Sequence, residues 1–208
     1  MKRVYILRHG ESESNVIKGI YKGQDAHLTE KGRGDINNIL KFVEDLKIDK
    51  LVSSSYVRAI QTSQIIAKSI NREIEVSNFF VEWEHPSDIL GLTHEDNKFK
   101  TVKQNVKKLF LENRSFSDEE SFSDLCNRAE KAKLYLEKIQ DENILVVGHG
   151  KFTKFFLIYL CFGNSLNPET FLKIDDFFKS STLGLSKIIF NDERWILKQW
   201  NAALNRTP

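Results

Sequence analysis

Five side chains in this 208-residue sequence have the types needed for one kind of chemistry: Arg8, His9, Arg58, Glu82 and His149. Each stands at or shortly beyond the end of a short apolar run rich in β-formers. Val4-Tyr5-Ile6-Leu7 stops at Arg8-His9-Gly10-Glu11-Ser12, and Ile144-Leu145-Val146-Val147 stops at Gly148-His149-Gly150. Ser53-Ser54-Ser55 leads from a second run to Arg58, and Glu82 follows a third. Arginines can hold a dianion, an imidazole can attack phosphorus, and a carboxylic acid can protonate a leaving oxygen. The set suits phosphoryl transfer. Alone, each residue has a plainer reading: a structural histidine, a solvated helix arginine, a strand-end cap. Their convergence at strand ends carries the argument.

The elements that must position them alternate along the chain. Val4–Leu7, Lys50–Ser53 and Ile144–Val147 read as buried strands, and Ile74–Phe80 as a third strand in chain order. Ile36, Ile39, Leu40, Val43 and Leu46 recur at helical spacing and set a helix over 30–47. Another helix starts near Tyr56, and one short helix is expected near Val102–Leu111. Phe122, Leu125, Ala129, Ala132, Leu136 and Ile139 make the cleanest amphipathic stripe. Phe152–Leu160 and Thr170–Phe178 complete the helices. Leu183–Phe190 and Trp195–Trp200 form a closing hairpin with its turn at Asn191-Asp192. The pattern predicts an α/β fold: a three-layer αβα sandwich with a mostly parallel central sheet, helices on both faces and an antiparallel edge strand. In such sheets ligands bind beyond the carboxyl ends of the strands, where the five residues stand. One domain is expected over 1–208, with 82–120 as a lid or specificity segment.

The sequence resembles the histidine phosphatase superfamily, also called phosphoglycerate mutase-like. The matching stretches are Arg8-His9-Gly10-Glu11-Ser12 with Asn15, Asp25-Ala26-His27-Leu28-Thr29 with Gly32, and Ser53-Ser54 through Arg58-Ala59-Ile60-Gln61-Thr62. Val81-Glu82 and Gly148-His149-Gly150 follow in the family's order. The resemblance implies that His9 is the nucleophile, neutral before attack, with its other ring nitrogen held by a backbone carbonyl. It implies that Gly10 leaves space for phosphate beside the ring, and that Arg8 and Arg58 grip the phosphoryl oxygens in their planar forks. His149 would donate to the transferring group and Asn15 would add a neutral donor, though Asn15 also fits a helix-start or turn role. Glu82 would be general acid and then base, with Glu84 as the substitute. A phosphorylated small molecule is the implied substrate, and neither cofactor nor metal is implied. His27, His85 and His94 are expected on the surface, and their spacing matches no usual zinc pattern.

The chain departs from the family pattern in two places. His27 replaces the proline common before Leu-Thr, and Glu82-Trp83-Glu84-His85-Pro86-Ser87 lacks the Gly-x-Trp-x-Gly run of many small phosphatases. The leading expectation is a phosphomonoesterase. The alternatives are a phosphoglycerate mutase-type transferase, disfavoured by the short chain, and a phosphate-ester binding module without catalysis. A phosphohistidine protein phosphatase fits less well, because the acid is present.

Composition narrows the partners. Thirty-one Lys plus Arg face 29 Asp plus Glu, a net charge of +2. That near balance argues against a nucleic-acid or membrane-surface partner. Lys98, Lys100, Lys103, Lys107 and Lys108 read as a solvated helix face, or alternatively as a lid that attracts a polyanion. Two cysteines, Cys126 and Cys161, are expected reduced, consistent with a cytoplasmic location. Met1-Lys2-Arg3 runs straight into a strand-like segment, so no signal peptide is expected. The longest apolar run, Phe155–Phe162, is too short to cross a bilayer. Phe177 and Phe178 are candidates for an interface, and a homodimer stays open.

Overall fold

β1 (Lys2–Arg8) and β4 (Asn143–Gly148) form where the sequence offers β-branched and aliphatic runs, and both are buried on two faces. The computed structural model describes residues 1–16, 21–83, 85–93 and 95–204. Glu84 and His94 lie outside the described residues. In chain order, β1 leads through α1 (Glu13–Val16) and α2 (Glu30–Asp45) to β2 (Lys50–Ser53), α3 (Val57–Ile70) and β3 (Ile74–Val76). Then come α4 (Asn97–Leu111), α5 (Phe122–Lys138), β4, α6 (Gly150–Phe162) and α7 (Pro168–Phe177). The antiparallel pair β5 (Gly184–Asn191) and β6 (Arg194–Ala203) closes the chain.

The strand order is β3-β2-β4-β1-β5-β6. The first four strands pair in parallel, and β5 joins β1 antiparallel. Alternate residues face opposite layers. Tyr5, Leu7, Leu51, Leu145 and Val147 pack with α2 and α3, while Val4, Ile6, Val52, Ile144 and Val146 pack with α5, α6 and α7. This is the expected αβα sandwich, with its hydrophobic core split between the two faces.

Several boundaries move, each for a physical reason. β3 stops at Val76, because Ser77 turns the chain by accepting the Phe79 N–H and Asn78–Phe80 winds into a 3-10 turn. The run to Phe80 is apolar because Phe80 is core, not because it is strand. α4 begins at Asn97, five residues before the expected helix, since Phe99 joins Val102, Val106 and Phe110 on its buried stripe. The hairpin turn falls one residue later than expected: Asn191 pairs with Arg194, and Asp192 and Glu193 both take positive φ, 49° and 61°. That is the conformation a two-residue turn with strand-matched twist requires.

Candidate active site

The register of β1 against β4 sets Arg8 opposite Gly148. The next residue on each strand is a histidine, and the His9 N–H donates to the Gly148 carbonyl at 3.0 Å. The two rings therefore sit side by side, centroids 5.1 Å apart. β2 is β4's other neighbour, so Ser54 falls beside His149 and its Oγ lies 2.7 Å from His149 Nε2. The Tyr56 ring packs against the same imidazole, tilted by 59° with centroids 5.1 Å apart.

His9 is 3% exposed. Its Nδ1 lies 2.7 Å from the Gly10 carbonyl, an acceptor only, so Nδ1 carries the proton and Nε2 the lone pair. Arg58 Nε donates to that lone pair at 3.1 Å. Arg58 stands in the first turn of α3, is 6% exposed, and also donates to the Gly23 carbonyl at 2.8 Å. Burial, then the charges of Arg58 and Arg8, hold the His9 imidazole well below the ordinary histidine range. Burial and Arg58 do the same to His149, which is fully buried. Both rings are neutral at pH 7.

Arg8 donates through Nη1 to the Ser180 carbonyl, while its Nε is buried without a hydrogen-bond partner. His149 Nδ1 is likewise buried and unpartnered. A buried N–H without an acceptor is costly, and Arg8 Nε leaves a place for one.

Glu82 is fixed from three directions. Its carboxylate accepts the N–H groups of Trp83, Lys151 and Phe152 at 3.0, 3.1 and 2.7 Å. The last two open α6, where unpaired N–H groups and the helix dipole favour a carboxylate. Arg128 on α5 holds the segment from below. It donates to the Val81 carbonyl at 2.8 Å and the Phe79 carbonyl at 3.3 Å, and its guanidinium lies 3.8 Å from the Phe152 ring centroid. A bidentate pair with Glu120 orients the fork.

One cavity of about 360 Å³ gathers Arg8, His9, Asn15, Arg58 and Glu82 on its walls. His149 is not among the residues on its walls, and its ring packs against that of His9. Asn15 Oδ1 accepts both the Ser12 N–H and the Ser12 hydroxyl at 3.0 Å. It therefore serves as a turn residue and turns its amide NH₂ end away from Ser12. His85 is half-buried on the cavity wall, not on the surface as expected, because its backbone N–H is tied to the Tyr21 hydroxyl. His27 is exposed, as expected, beside Gln61.

Gly10 corrects the expectation placed on it. A Cβ there would meet Ile36 Cδ1 at 2.9 Å and the Gly32 carbonyl at 3.1 Å. The missing side chain makes room for α2, not for phosphate. The rest of the motif residues brace the loop. Thr62 accepts the Gly10 N–H at 3.1 Å and donates to the Arg58 carbonyl at 2.8 Å. Gln61 accepts the Leu28 N–H at 2.8 Å. Lys151 and Ser180 were not singled out from sequence, and of the two only Lys151 carried a signal, as a residue just past a strand end. Ser54, Trp83 and Lys103 were named there only within a matching stretch, a departing stretch and a basic run. Among the described residues no group of three or more His, Cys, Asp or Glu is placed to hold a metal, and no helix is long and apolar enough to cross a membrane.

The fold sets two arginines, a histidine and a carboxylate around one pocket beyond the carboxyl ends of its parallel strands. Residues 4–203 match the profile of the histidine phosphatase superfamily (branch 1), and the chain belongs to that superfamily. It is 29% identical over 160 residues to adenosylcobalamin/alpha-ribazole phosphatase of Salmonella typhi, covering 71% of this chain and 73% of that protein. It is 25% identical over 207 residues to a probable phosphoglycerate mutase of Erwinia tasmaniensis, covering 96% and 90%. Against phosphoglycerate mutase-like protein 4 of Arabidopsis thaliana it is 28% identical over 153 residues, covering 71% of this chain and 66% of that protein. Among solved structures, a putative alpha-ribazole-5'-P phosphatase from Escherichia coli superimposes with a TM-score of 0.80 at 22% identity, over 97% of this chain and 98% of that one. The last likeness shows the fold. The family and its named members make this a phosphatase- or mutase-type enzyme.

Proposed function

We propose that the chain is a phosphomonoesterase working through a phosphohistidine at His9. The observation that carries this reading is the His9 tautomer. Nδ1 is committed to the Gly10 carbonyl, so the unshared pair sits on Nε2, next to Arg58 and within the cavity. That pair attacks phosphorus, the P–O bond to the alcohol breaks, and its electrons leave with the alcohol oxygen. Glu82 gives that oxygen a proton. A water then loses a proton to Glu82 and attacks phosphorus, and the P–N electrons return to Nε2. Arg8, Arg58 and Asn15 hold the phosphoryl oxygens. A His149 tautomer protonated on Nδ1, with the Ser54 hydroxyl donating to Nε2, presents one more donor. An incoming dianion would offset the desolvation of the orphan donors on Arg8 and His149.

The test is leaving-group dependence. Glu82→Gln should cut kcat/KM for an alkyl phosphate by about 10²–10⁴-fold, the worth of a general acid. It should cost much less for 4-nitrophenyl phosphate, whose leaving group needs no proton. Equal losses on both esters would remove Glu82 from the acid role. A mutase uses the same pocket and differs in its acceptor, so phosphate release to water against transfer to a second phosphate ester separates the two. Residues 82–120 serve in this reading as the specificity segment, because α4 and Trp83 build the wall facing the leaving group.

A further inference from the structure

A second cavity of about 310 Å³ opens from the first and shares Trp83, His85, Lys103 and Lys151 with it. The shared walls make it the continuation of the site on the leaving-group side, and its volume suits a body of ligand size. One flank is apolar: Trp83, Val106, Phe110 and Leu172. The indole is rigid, because Nε1 donates to the Glu120 carbonyl at 3.2 Å and the ring packs on Phe110 with centroids 4.6 Å apart.

The same stretch of α4 also brings cations to the cleft. Lys103 and Lys107 stand one turn apart on α4, and neither has an ion-pair partner among the described residues. Lys151 lies over the Trp83 ring at 5.0 Å. The acids that face this cleft are Asp175 and Asp176 on α7. Asp175 is already neutralised by Lys154 at 2.5 Å and by Lys151 at 3.3 Å. Asp176 has no ion-pair partner among the described residues, so Lys103 and Lys107 together outweigh it and leave the cleft net positive. All five lysines of the run are exposed, and of these Lys103 and Lys107 line the cleft while Lys98, Lys100 and Lys108 do not.

We infer that the alcohol part of the substrate is an apolar body that fills the cleft against Trp83, Val106 and Leu172 and carries a second anion, carboxylate or phosphate, that Lys103 and Lys107 receive. This rests on reading the Arg8–His9–Arg58 pocket as the phosphoryl site. The apolar flank explains why a short polyol chain would leave Trp83 and Leu172 uncovered, and the lysine pair explains why a neutral aryl ester would leave two cations without a partner.

The experiment measures binding, not turnover, so that leaving-group reactivity does not enter. Phenyl phosphate, 4-carboxyphenyl phosphate and 1,4-phenylene bisphosphate are titrated calorimetrically into His9→Ala protein. The same titrations follow in His9→Ala carrying Lys103→Gln and Lys107→Gln, and in His9→Ala carrying Lys108→Gln. One charge-assisted contact corresponds to about a tenfold gain in Kd. The expected result is a gain of that size or more for at least one doubly anionic ester over phenyl phosphate. It should fall to about twofold or less in the Lys103/Lys107 variant and survive Lys108→Gln. Whichever ester gains more names the second anion. Equal affinity of all three esters, or a gain that persists without Lys103 and Lys107, overturns the inference. Loss of the phosphoryl-site reading shows differently, as the absence of any phosphate on His9 in the unmutated enzyme during turnover.

Discussion

At the scale of single residues, the site is a matter of which atom is already occupied. The Gly10 carbonyl accepts the Nδ1–H of His9, and that choice leaves the lone pair on Nε2, where Arg58 Nε donates to it. Because burial and two arginines depress the His9 pKa, the imidazole stays neutral into mildly acidic solution. The acid limb of kcat/KM assigned to His9 should therefore fall well below 6.5, the ordinary value for a histidine. An acid limb at about 6.5 that remains in Glu82→Gln and in His149→Gln would contradict the depressed value. Thr62 is the second test at this scale. Its hydroxyl is the acceptor for the buried Gly10 N–H and a donor to the Arg58 carbonyl, so it ties the His9 loop to the Arg58 helix. Thr62→Val keeps the volume and removes both bonds, which should cost about 1–3 kcal/mol in urea unfolding. kcat/KM should fall with it, because His9 and Arg58 lose their common anchor. A variant of unchanged stability would mean that Gly10 finds another partner.

At the scale of elements, two helices do the positioning. α2 reaches the loop through Gly32, where a Cβ would fall 2.1 Å from the Glu11 carbonyl oxygen. Gly32→Ala should destabilise the fold by about 3 kcal/mol or more, since backbone cannot yield as a side chain does. Gly34, two residues on in the same helix, has nothing within 4 Å of a Cβ, and Gly34→Ala should stabilise by about 0.5–1 kcal/mol. Matched urea unfolding of the two variants checks the contrast, and a shared sign would refute it. α5 acts through Arg128, a positioning residue that holds Val81 and the Phe152 ring on either side of Glu82. Arg128→Met should lower kcat on alkyl phosphates about tenfold more than on 4-nitrophenyl phosphate, as a displaced general acid would. A purely structural role would lower both alike.

The elements were largely legible because β1, β2 and β4 are buried runs that end abruptly, and the helices carry clean 3.6-residue stripes. What the sequence could not reveal was depth and distance. That Ile74–Phe80 is half strand and half turn depends on Ser77 accepting the Phe79 N–H. Gly10 invites a phosphate reading in sequence, because nothing local says that Ile36 will lie against it. His85 and the Lys103–Lys107 pair belong to the cavity only because α4 folds back over Trp83. No spacing along the chain encodes that.

At the scale of the whole molecule, the near-zero net charge hides a concentration of cations on one rim, and two neutral histidines are buried beneath it. Folding must strip protons from both rings in acid, whereas the unfolded chain binds them near the ordinary value of 6.5. With folded values depressed, the stability contribution is whole above pH 6.5 and is lost as pH falls below it. At the limit, each histidine removes about 1.4 kcal/mol per pH unit. Urea midpoints at pH 7.5 and 5.5 should drop more for the unmutated chain than for a His9→Gln, His149→Gln variant. An equal drop would show that carboxylates, not these rings, set the acid sensitivity.

The central claim is the bond between His9 and phosphorus. Rapid acid-free quenching of the enzyme during turnover of a radiolabelled aryl phosphate, followed by digestion and peptide mapping, addresses it directly. The expected result is label on the peptide carrying His9, stable in base, lost in mild acid and absent from His9→Ala. Steady turnover with no label on that peptide, or label that persists in His9→Ala, would contradict it.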